Sequence, residues 1–143
     1  MKWILWTVLS LVAIVGVIAL IGYFLPVGHE ASRSAEFNKP PDDVFALMAD
    51  PGNYKEWWAG ADVKSEVVER VPPTRVVTRV VGETQFGGTW TIDIAPTPAG
   101  SRMTITERGE VYNPIFRTLS KFVFGQTSTM ESCLAAAQKK LST

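Results

Sequence analysis

The sequence predicts an α+β protein in which an N-terminal transmembrane helix precedes a single folded domain. In that domain a curved antiparallel sheet of about five strands surrounds a long C-terminal helix. Three observations predict this class: an uncharged apolar segment opens the chain, alternating segments follow, and a long amphipathic segment closes it. A sheet with one apolar face must be covered, and only the last segment is long enough to cover it.

Composition restricts the classes of function. The 143 residues carry 14 basic and 14 acidic side chains, so the formal net charge is zero. A nucleic-acid-binding protein would normally carry a basic stripe, and we expect no nucleic-acid partner. Cys133 and His29 are the only residues of their kinds. An internal disulfide is therefore impossible, and we expect neither a metal site nor a cofactor.

The first element predicted is a membrane anchor at residues 1–26. No residue from Trp3 to Leu25 is charged, and a helix of this length spans about 34 Å, enough to cross a bilayer. Aromatic residues lie near both ends and Pro26 ends the helix. A cleaved signal peptide and a buried soluble helix are the alternatives, but the segment is long and lacks a small-x-small cleavage site. We expect residues 3–25 to contact the lipid bilayer in a single-pass arrangement.

The side of the membrane depends on few charges. Lys2 and the α-amino group precede the span, whereas Arg33 and Lys39 follow it. The two counts are nearly equal, and the nearest charges favour a cytoplasmic N-terminus with the domain outside the cytoplasm.

The folded part reads as a tether at residues 27–31 and a domain at residues 32–143. Asp42 is predicted to cap a first short helix, and Asn113 to cap the final segment, with Pro114 in its first turn. Gly125 is expected to kink or divide that segment. The predicted strands are Ser32–Asn38, Val63–Val71, Arg75–Val81, Thr89–Ala95 and Arg102–Tyr112.

Three stretches resemble a known superfamily. They read SAEFNKPPDDVFALMADPGNYKEWW, PPTRVVTRVV and FGGTWTIDIAPTPAGSRMTITERGEVYNPIFRTLSKFVFG. Over residues 32–141 the chain resembles the START-like, helix-grip domains of the SRPBCC superfamily, which includes polyketide cyclase/dehydrase-like and lipid-transport-like proteins. The third stretch is similar to a subgroup that is sometimes membrane-anchored. The resemblance implies an apolar cavity between sheet and helix. The sheet reads as shortened, which implies an open or small cavity.

Candidate pocket residues follow from strand and helix periodicity. Each of them could instead fill a core or, for the tryptophans, close it. Glu107 continues the apolar face of its strand, where it could act as acid, base or hydrogen-bond acceptor. Alternatively, a bulge near Gly109 turns it outward, or it pairs with Arg79 or Arg108. His29 has no predicted partner. The candidates are Trp57, Trp58, Trp90, Ile92, Met103, Ile105, Glu107, Phe122, Met130 and Leu134.

The function predicted from these features is a membrane-anchored, non-catalytic module that binds a small hydrophobic or amphipathic molecule such as a lipid. One alternative is an anchored interaction or structural domain that pairs through an exposed sheet edge. Another is a cyclase- or dehydrase-type enzyme that uses Glu107. The aromatic segment 122–124, together with Ile115 and Phe116, could rest on the bilayer or pack in the core.

Overall fold

A computed structural model describes residues 1–61, 64–125 and 127–142. Helices and strands follow the predicted order. In sequence they are α1 (Lys2–Phe24), β1 (Gly28–Phe37), α2 (Pro41–Met48), a 3-10 helix (Pro51–Glu56), β2 (Ser65–Val71), β3 (Arg75–Val80), β4 (Phe86–Thr97), β5 (Gly100–Val111), α3 (Pro114–Leu119), a π-helical turn (Ser120–Phe124) and α4 (Ser128–Ser142).

The five strands form one antiparallel sheet in the order β1-β5-β4-β3-β2. Alternating residues of the strands point to one face, where α2 and α4 cover them. This arrangement confirms the predicted helix-grip class. Its fully buried core draws on strands and both helices, and comprises Val44, Met48, Val76, Ile92, Met103, Ile105, Met130, Cys133 and Ala137.

Several boundaries differ from the sequence prediction; β4 and β5, for example, begin at Phe86 and Gly100 rather than at Thr89 and Arg102. Strand β1 begins at Gly28 rather than Ser32, because residues 28–31 pair with β5. Helix α2 begins at Pro41, so Asp42 lies in its first turn and is not its cap. Proline suits the first helical position and a carboxylate suits the first turn, where it faces the positive end of the helix dipole. The predicted strand start at Val63 lies outside the described residues.

The C-terminal segment is divided as predicted. The Asn113 side-chain oxygen accepts hydrogen bonds from the N–H groups of Ile115 at 2.9 Å and Phe116 at 3.4 Å, which confirms the cap. Gly125 has a φ of +77°, a left-handed conformation that interrupts the helix. Of the two helices in this segment, α4 covers the sheet together with α2, whereas α3 packs mainly against α1.

Helix α1 is exposed along most of its length, and two of its polar side chains are hydrogen-bonded within the helix. The hydroxyls of Thr7 and Ser10 each donate to the carbonyl four residues earlier, at 2.8 Å. Within the described part of the chain, α1 is the one helix that is both long and apolar enough to cross a membrane. Gly22 is its only buried residue.

The register gives the sheet two distinct ends. The proximal end is the end where α1 joins β1. It also contains the start of β4 at Phe86 and the end of β5 at Val111. The distal end carries the β2–β3 and β4–β5 turns, including Ala99. Helix α4 runs from the proximal toward the distal end, since Glu131 pairs with Arg33 and the Gln138 amide donates to the Glu36 carbonyl.

Candidate functional site

A cavity of about 590 Å³ opens at the proximal end of the sheet. All five strands contribute to its wall, together with the 3-10 helix, the α3 segment and the start of α4. The cavity lies where the cover of α4 stops, because α4 begins at Ser128, after the break at Gly125. Its volume is within the range of small-molecule sites. The side chains that matter below are His29, Tyr54, Trp58, Glu83, Phe86, Trp90, Glu107, Glu110, Phe116 and Ser120.

One wall of the cavity is a row of aromatic rings. Trp58 stacks on Trp90 with ring centroids 6.0 Å apart, and Trp57 stacks on Trp58 with centroids 6.5 Å apart. The Trp58 indole N–H donates to the Ser132 hydroxyl of α4 at 2.9 Å. This bond fixes the ring plane, so the wall presents a preformed apolar surface.

The polar group of the cavity is a three-residue cluster centred on Glu107. Trp90 and Glu107 are directly paired across β4 and β5, and the Trp90 indole N–H donates to Glu107 Oε1 at 2.9 Å. His29 Nε2 lies 2.9 Å from Glu107 Oε2. The two side chains are 16% and 22% exposed, so the cluster is accessible from the cavity but shielded from bulk solvent.

Gly109 makes room for this cluster. It pairs with His29 across β1 and β5. A Cβ at position 109 would lie 2.5 Å from His29 Cε1, closer than carbon atoms approach. The imidazole therefore lies over the glycine backbone and reaches Glu107, two residues earlier on β5.

These contacts decide between the alternatives for Glu107. The alternation continues without turning the side chain outward, and its partners are Trp90 and His29 rather than Arg79 or Arg108. Those two arginines pair with Glu66 and Glu30 instead.

The expectation that His29 has no partner was wrong. It assumed that residues 27–31 form a tether, whereas residues 28–31 extend β1. Continuing the strand's alternation toward its N-terminus would have placed His29 on the inward face, but its contact with Glu107 depends on the pairing of β1 with β5.

The ten candidate pocket residues fall into four groups. Trp58, Trp90 and Glu107 line the cavity, and Trp57 stacks on Trp58 without lining it. Phe122 is 65% exposed on the π-helical turn, away from the core. The remaining five lie in the packed core instead of along the cavity: Ile92, Met103, Ile105, Met130 and Leu134.

The boundary between core and cavity falls between two successive inward-facing residue pairs of β4 and β5. Ile92 pairs with Ile105 beneath the helices, with both side chains fully buried. Two residues toward the proximal end, Trp90 pairs with Glu107, and both line the cavity. Strand parity predicts the face correctly but contains no information on where the helix cover ends.

The charged groups along the cavity are acidic. Glu83 and Glu110 line it with Glu107, and the described lining includes no lysine or arginine. Glu110 accepts a hydrogen bond from the Tyr112 hydroxyl at 2.9 Å, which raises the pKa of that phenol. Carboxylates beside aromatic rings suit a ligand with a hydrogen-bond-donating or cationic polar group. Across the described ranges, no three His, Cys, Asp or Glu side chains converge as a metal site would require.

Two buried titratable groups, Tyr54 in the cavity wall and Cys133 in the core, are inert. Burial raises the pKa of the Cys133 thiol to about 12, so the nucleophilic thiolate is scarce at neutral pH. Burial also raises the pKa of Tyr54, whose hydroxyl donates to the Met48 carbonyl at 2.6 Å. Both groups act as packing elements.

Comparison with known proteins gives structural matches only. No protein-family model matches the sequence, and a search of curated proteins finds no match. Three solved structures each superpose with a TM-score of 0.63. A START superfamily protein from Mycobacterium smegmatis is 13% identical, with 80% of this chain and 97% of that chain covered. A protein from Rhizobium leguminosarum is 15% identical, with coverage of 80% and 95%. The di-domain ARO/CYC protein BexL from the BE-7585A biosynthetic pathway is 9% identical, with coverage of 86% and 53%.

The chain has the START-like helix-grip fold. The superpositions establish the fold. Sequence identities this low do not identify the ligand. In this START-like domain the sheet has five strands, and the cavity is present despite the shortened sheet.

Proposed function

We propose that the protein is a membrane-anchored, non-catalytic module that binds a small amphipathic, lipid-like molecule in the proximal cavity. The observation that carries the proposal is the cavity itself, with a preformed aromatic wall and one polar cluster. Sites of this kind hold a ligand through apolar contact and orient it through a few polar groups. Here Trp58 and Trp90 supply the contact area, and Glu107 supplies the acceptor.

The anchor in this proposal is α1. Its surface is apolar on nearly all sides, the hydroxyls of Thr7 and Ser10 are satisfied internally, and its 23 residues suffice to span a bilayer. His29 follows Phe24 by five residues, so the polar cluster lies within about 18 Å of the end of the span. A ligand drawn from the same membrane therefore has a short path to the cavity. The domain is proposed to lie outside the cytoplasm, since the charges nearest the span favour that side.

Photo-crosslinking in membranes tests both parts of the proposal. The full chain is reconstituted with an amphiphile that carries a diazirine on its alkyl chain, irradiated, and digested for mass spectrometry. We expect adducts on α1, from the surrounding lipid, and a second set on Trp58, Trp90 and neighbouring cavity residues. Adducts on α1 alone would contradict the cavity, whereas adducts on the cavity alone would contradict the anchor.

A cavity-filling variant sharpens the result. Ala61 lines the cavity and Ala99 lies exposed on the distal β4–β5 turn. Ala61→Phe is expected to remove most cavity adducts and leave those on α1 unchanged. Ala99→Phe adds the same ring outside the cavity and should change neither set.

A second function is favoured by the His29–Glu107 pair. A carboxylate and an imidazole 2.9 Å apart in a cavity can together transfer a proton to and from a bound molecule. This arrangement supports an acid–base enzyme, such as a cyclase or dehydrase, as the alternative. In it Glu107 is the acid or base, and His29 orients its carboxylate through their 2.9 Å contact.

Turnover distinguishes the enzyme from the binding module. Extracts of small amphiphiles are incubated with the native chain, with Glu107→Gln and with His29→Gln, and products are sought by mass spectrometry. If the protein is an enzyme, the native chain should form a product. The Glu107→Gln variant should form the same product about a hundredfold or more slowly. Full turnover by Glu107→Gln would exclude that role for Glu107.

A further inference from the structure

Helix α3 runs antiparallel to the C-terminal part of α1. Pro114, the first residue of α3, lies against Gly22, where an added Cβ would be 1.6 Å from the Pro114 carbonyl oxygen. One turn later on α3, the Thr118 hydroxyl donates to the Ile18 carbonyl at 2.7 Å. Advancing four residues along α3 thus corresponds to going back four residues along α1.

Arg117 secures this junction. Its guanidinium donates to the carbonyls of Gly22 at 2.8 Å and Leu25 at 3.5 Å, which belong to the last turn of α1. It also donates to the carbonyls of Val111 at 2.7 Å and Tyr112 at 2.8 Å. One cation therefore caps the negative end of α1 and ties it to the end of β5.

The geometry points to a second membrane contact. If α1 spans a bilayer, Gly22 lies near one interface and Ile18 lies about 6 Å deeper. The π-helical turn follows Thr118 in the same direction, so Phe122 would lie about 12 Å below the level of Gly22. We propose that residues 116–124 insert into the leaflet that surrounds the C-terminal half of α1. The inference rests on the proposed anchor and adds a contact that the anchor alone does not require.

The exposed side chains of this segment suit that position. Phe116, Phe122 and Val123 are 49%, 65% and 66% exposed, an unusual amount of uncovered apolar surface for three neighbours in a domain of this size. Tyr23 and Phe24 at the end of α1 are also exposed, at 71% and 77%. Because α3 packs against α1, the lipid around the span would lie beside the exposed residues of this segment as well.

The polar groups of the segment do not oppose insertion. The Thr118 hydroxyl is satisfied by Ile18, and the Arg117 guanidinium is satisfied by carbonyls at the interface level. Lys121 has a long alkyl chain, and its ammonium lies 5.8 Å from the Phe122 ring centroid. In a bilayer this ammonium would leave the Phe122 ring and extend on its alkyl chain toward the headgroups. The described residues from 116 to 124 include no carboxylate.

Insertion has a consequence for the cavity. Phe116 and Ser120 line the cavity from the α3 side. The segment that contacts lipid with one face thus forms a cavity wall with another, which holds that wall at the membrane surface.

Depth measurement by spin labelling tests the inference on the full chain in phosphatidylcholine nanodiscs. Single cysteines are introduced as Phe122→Cys, Val123→Cys, Leu20→Cys in the span and Ala99→Cys on the distal turn; Cys133 is buried and stays unlabelled. Accessibility to oxygen is compared with accessibility to a water-soluble nickel complex. We expect the labels at 122 and 123 to be at least as accessible to oxygen, and as protected from nickel, as the label at 20, and the label at 99 to be aqueous.

The outcomes separate the inference from the anchor. If the label at 20 is in lipid and those at 122 and 123 are as aqueous as the label at 99, the anchor holds and the inserted segment is refuted. If the label at 20 is aqueous, the proposed anchor fails and the inference fails with it.

A glycine pair provides a matched control. Gly22→Ala must displace α3 from α1, whereas a Cβ at Gly16 meets nothing within 4 Å. We expect Gly22→Ala to shift the label at 122 toward water and Gly16→Ala to leave it unchanged. Equal label depths in the two variants would contradict the junction as the cause of insertion.

Discussion

Trp90 and Glu107 face each other across β4 and β5, and the indole N–H of Trp90 donates to the Glu107 carboxylate at 2.9 Å. This bond turns one edge of the indole toward the polar cluster while its face stacks on Trp58. Trp90 thus joins the apolar wall of the cavity to its polar group, and it is held in place from both sides. A cavity built in this way is rigid before a ligand arrives.

The Glu107 cluster should be a measurable contributor to stability. Glu107→Gln replaces a charged acceptor of two hydrogen bonds by a neutral amide, and we expect the free energy of unfolding to fall by about 1–3 kcal/mol. Urea unfolding of the full chain in a maltoside micelle, followed by tryptophan fluorescence, measures it. The matched change Glu66→Gln breaks an exposed pair with Arg79 and should cost no more than about 1 kcal/mol. Equal effects would contradict the structural role of the cluster.

Core and cavity residues should behave differently when truncated. Ile105 is fully buried and packed beneath the helices, so Ile105→Ala should lower the free energy of unfolding by about 2–5 kcal/mol. Ile105→Val should cost about 0.5–1.5 kcal/mol, because it removes one methyl group. Neither variant should change which ligand is bound, as judged by mass spectrometry of the extracted ligand. A changed ligand with unchanged stability would place Ile105 in the cavity instead.

Arg117 is expected to hold the end of α1 against the domain. Arg117→Gln removes donors to several carbonyls, and the opening of the segment Leu25–Gly28 should increase about tenfold or more. Amide hydrogen exchange and protease cleavage in that segment measure the opening. Arg102→Gln is the control, because Arg102 pairs with Glu36 on the exposed sheet surface. Unchanged exchange in Arg117→Gln would show that packing alone maintains the junction.

Alkaline pH should destabilise the domain through its buried acids. The pKa of Cys133 is raised from 9.0 to about 12, and burial raises the pKa of Tyr54 as well. The neutral forms are favoured in the folded state, so their contribution to stability is complete below pH 9.0 and is lost as pH rises toward 12. Urea midpoints measured from pH 8 upward should fall in this window. In Cys133→Ala the fall should be smaller, and an identical fall would contradict the assignment to Cys133.

Local signals in the sequence predicted most of the fold. Asn113-Pro114 identified the start of α3, and Gly125 identified the break between α3 and α4. The alternation from Trp90 to Ile94 identified the inward face of β4. These are short-range properties of backbone and side chain. The limits of β1 were predicted less well, because residues 28–31 become a strand only through pairing with β5.

The candidate site depended on long-range placement. Sequence parity placed Ile92, Ile105, Trp90 and Glu107 on one face, but only the position of α4 separates the core pair from the cavity pair. His29 was missed because its partner is 78 residues away. The junction of Gly22 with Pro114 was likewise invisible, since nothing local to either residue indicates that α3 would leave the sheet for α1.

The measurement that tests the account most directly is native mass spectrometry of the full chain released from nanodiscs of natural lipid composition. We predict a one-to-one adduct of a single amphipathic class on the native protein, weakened in Ala61→Phe and retained in Ala99→Phe. A folded protein that carries only its bare mass, with no shift as lipid is added to saturation, would contradict the binding function.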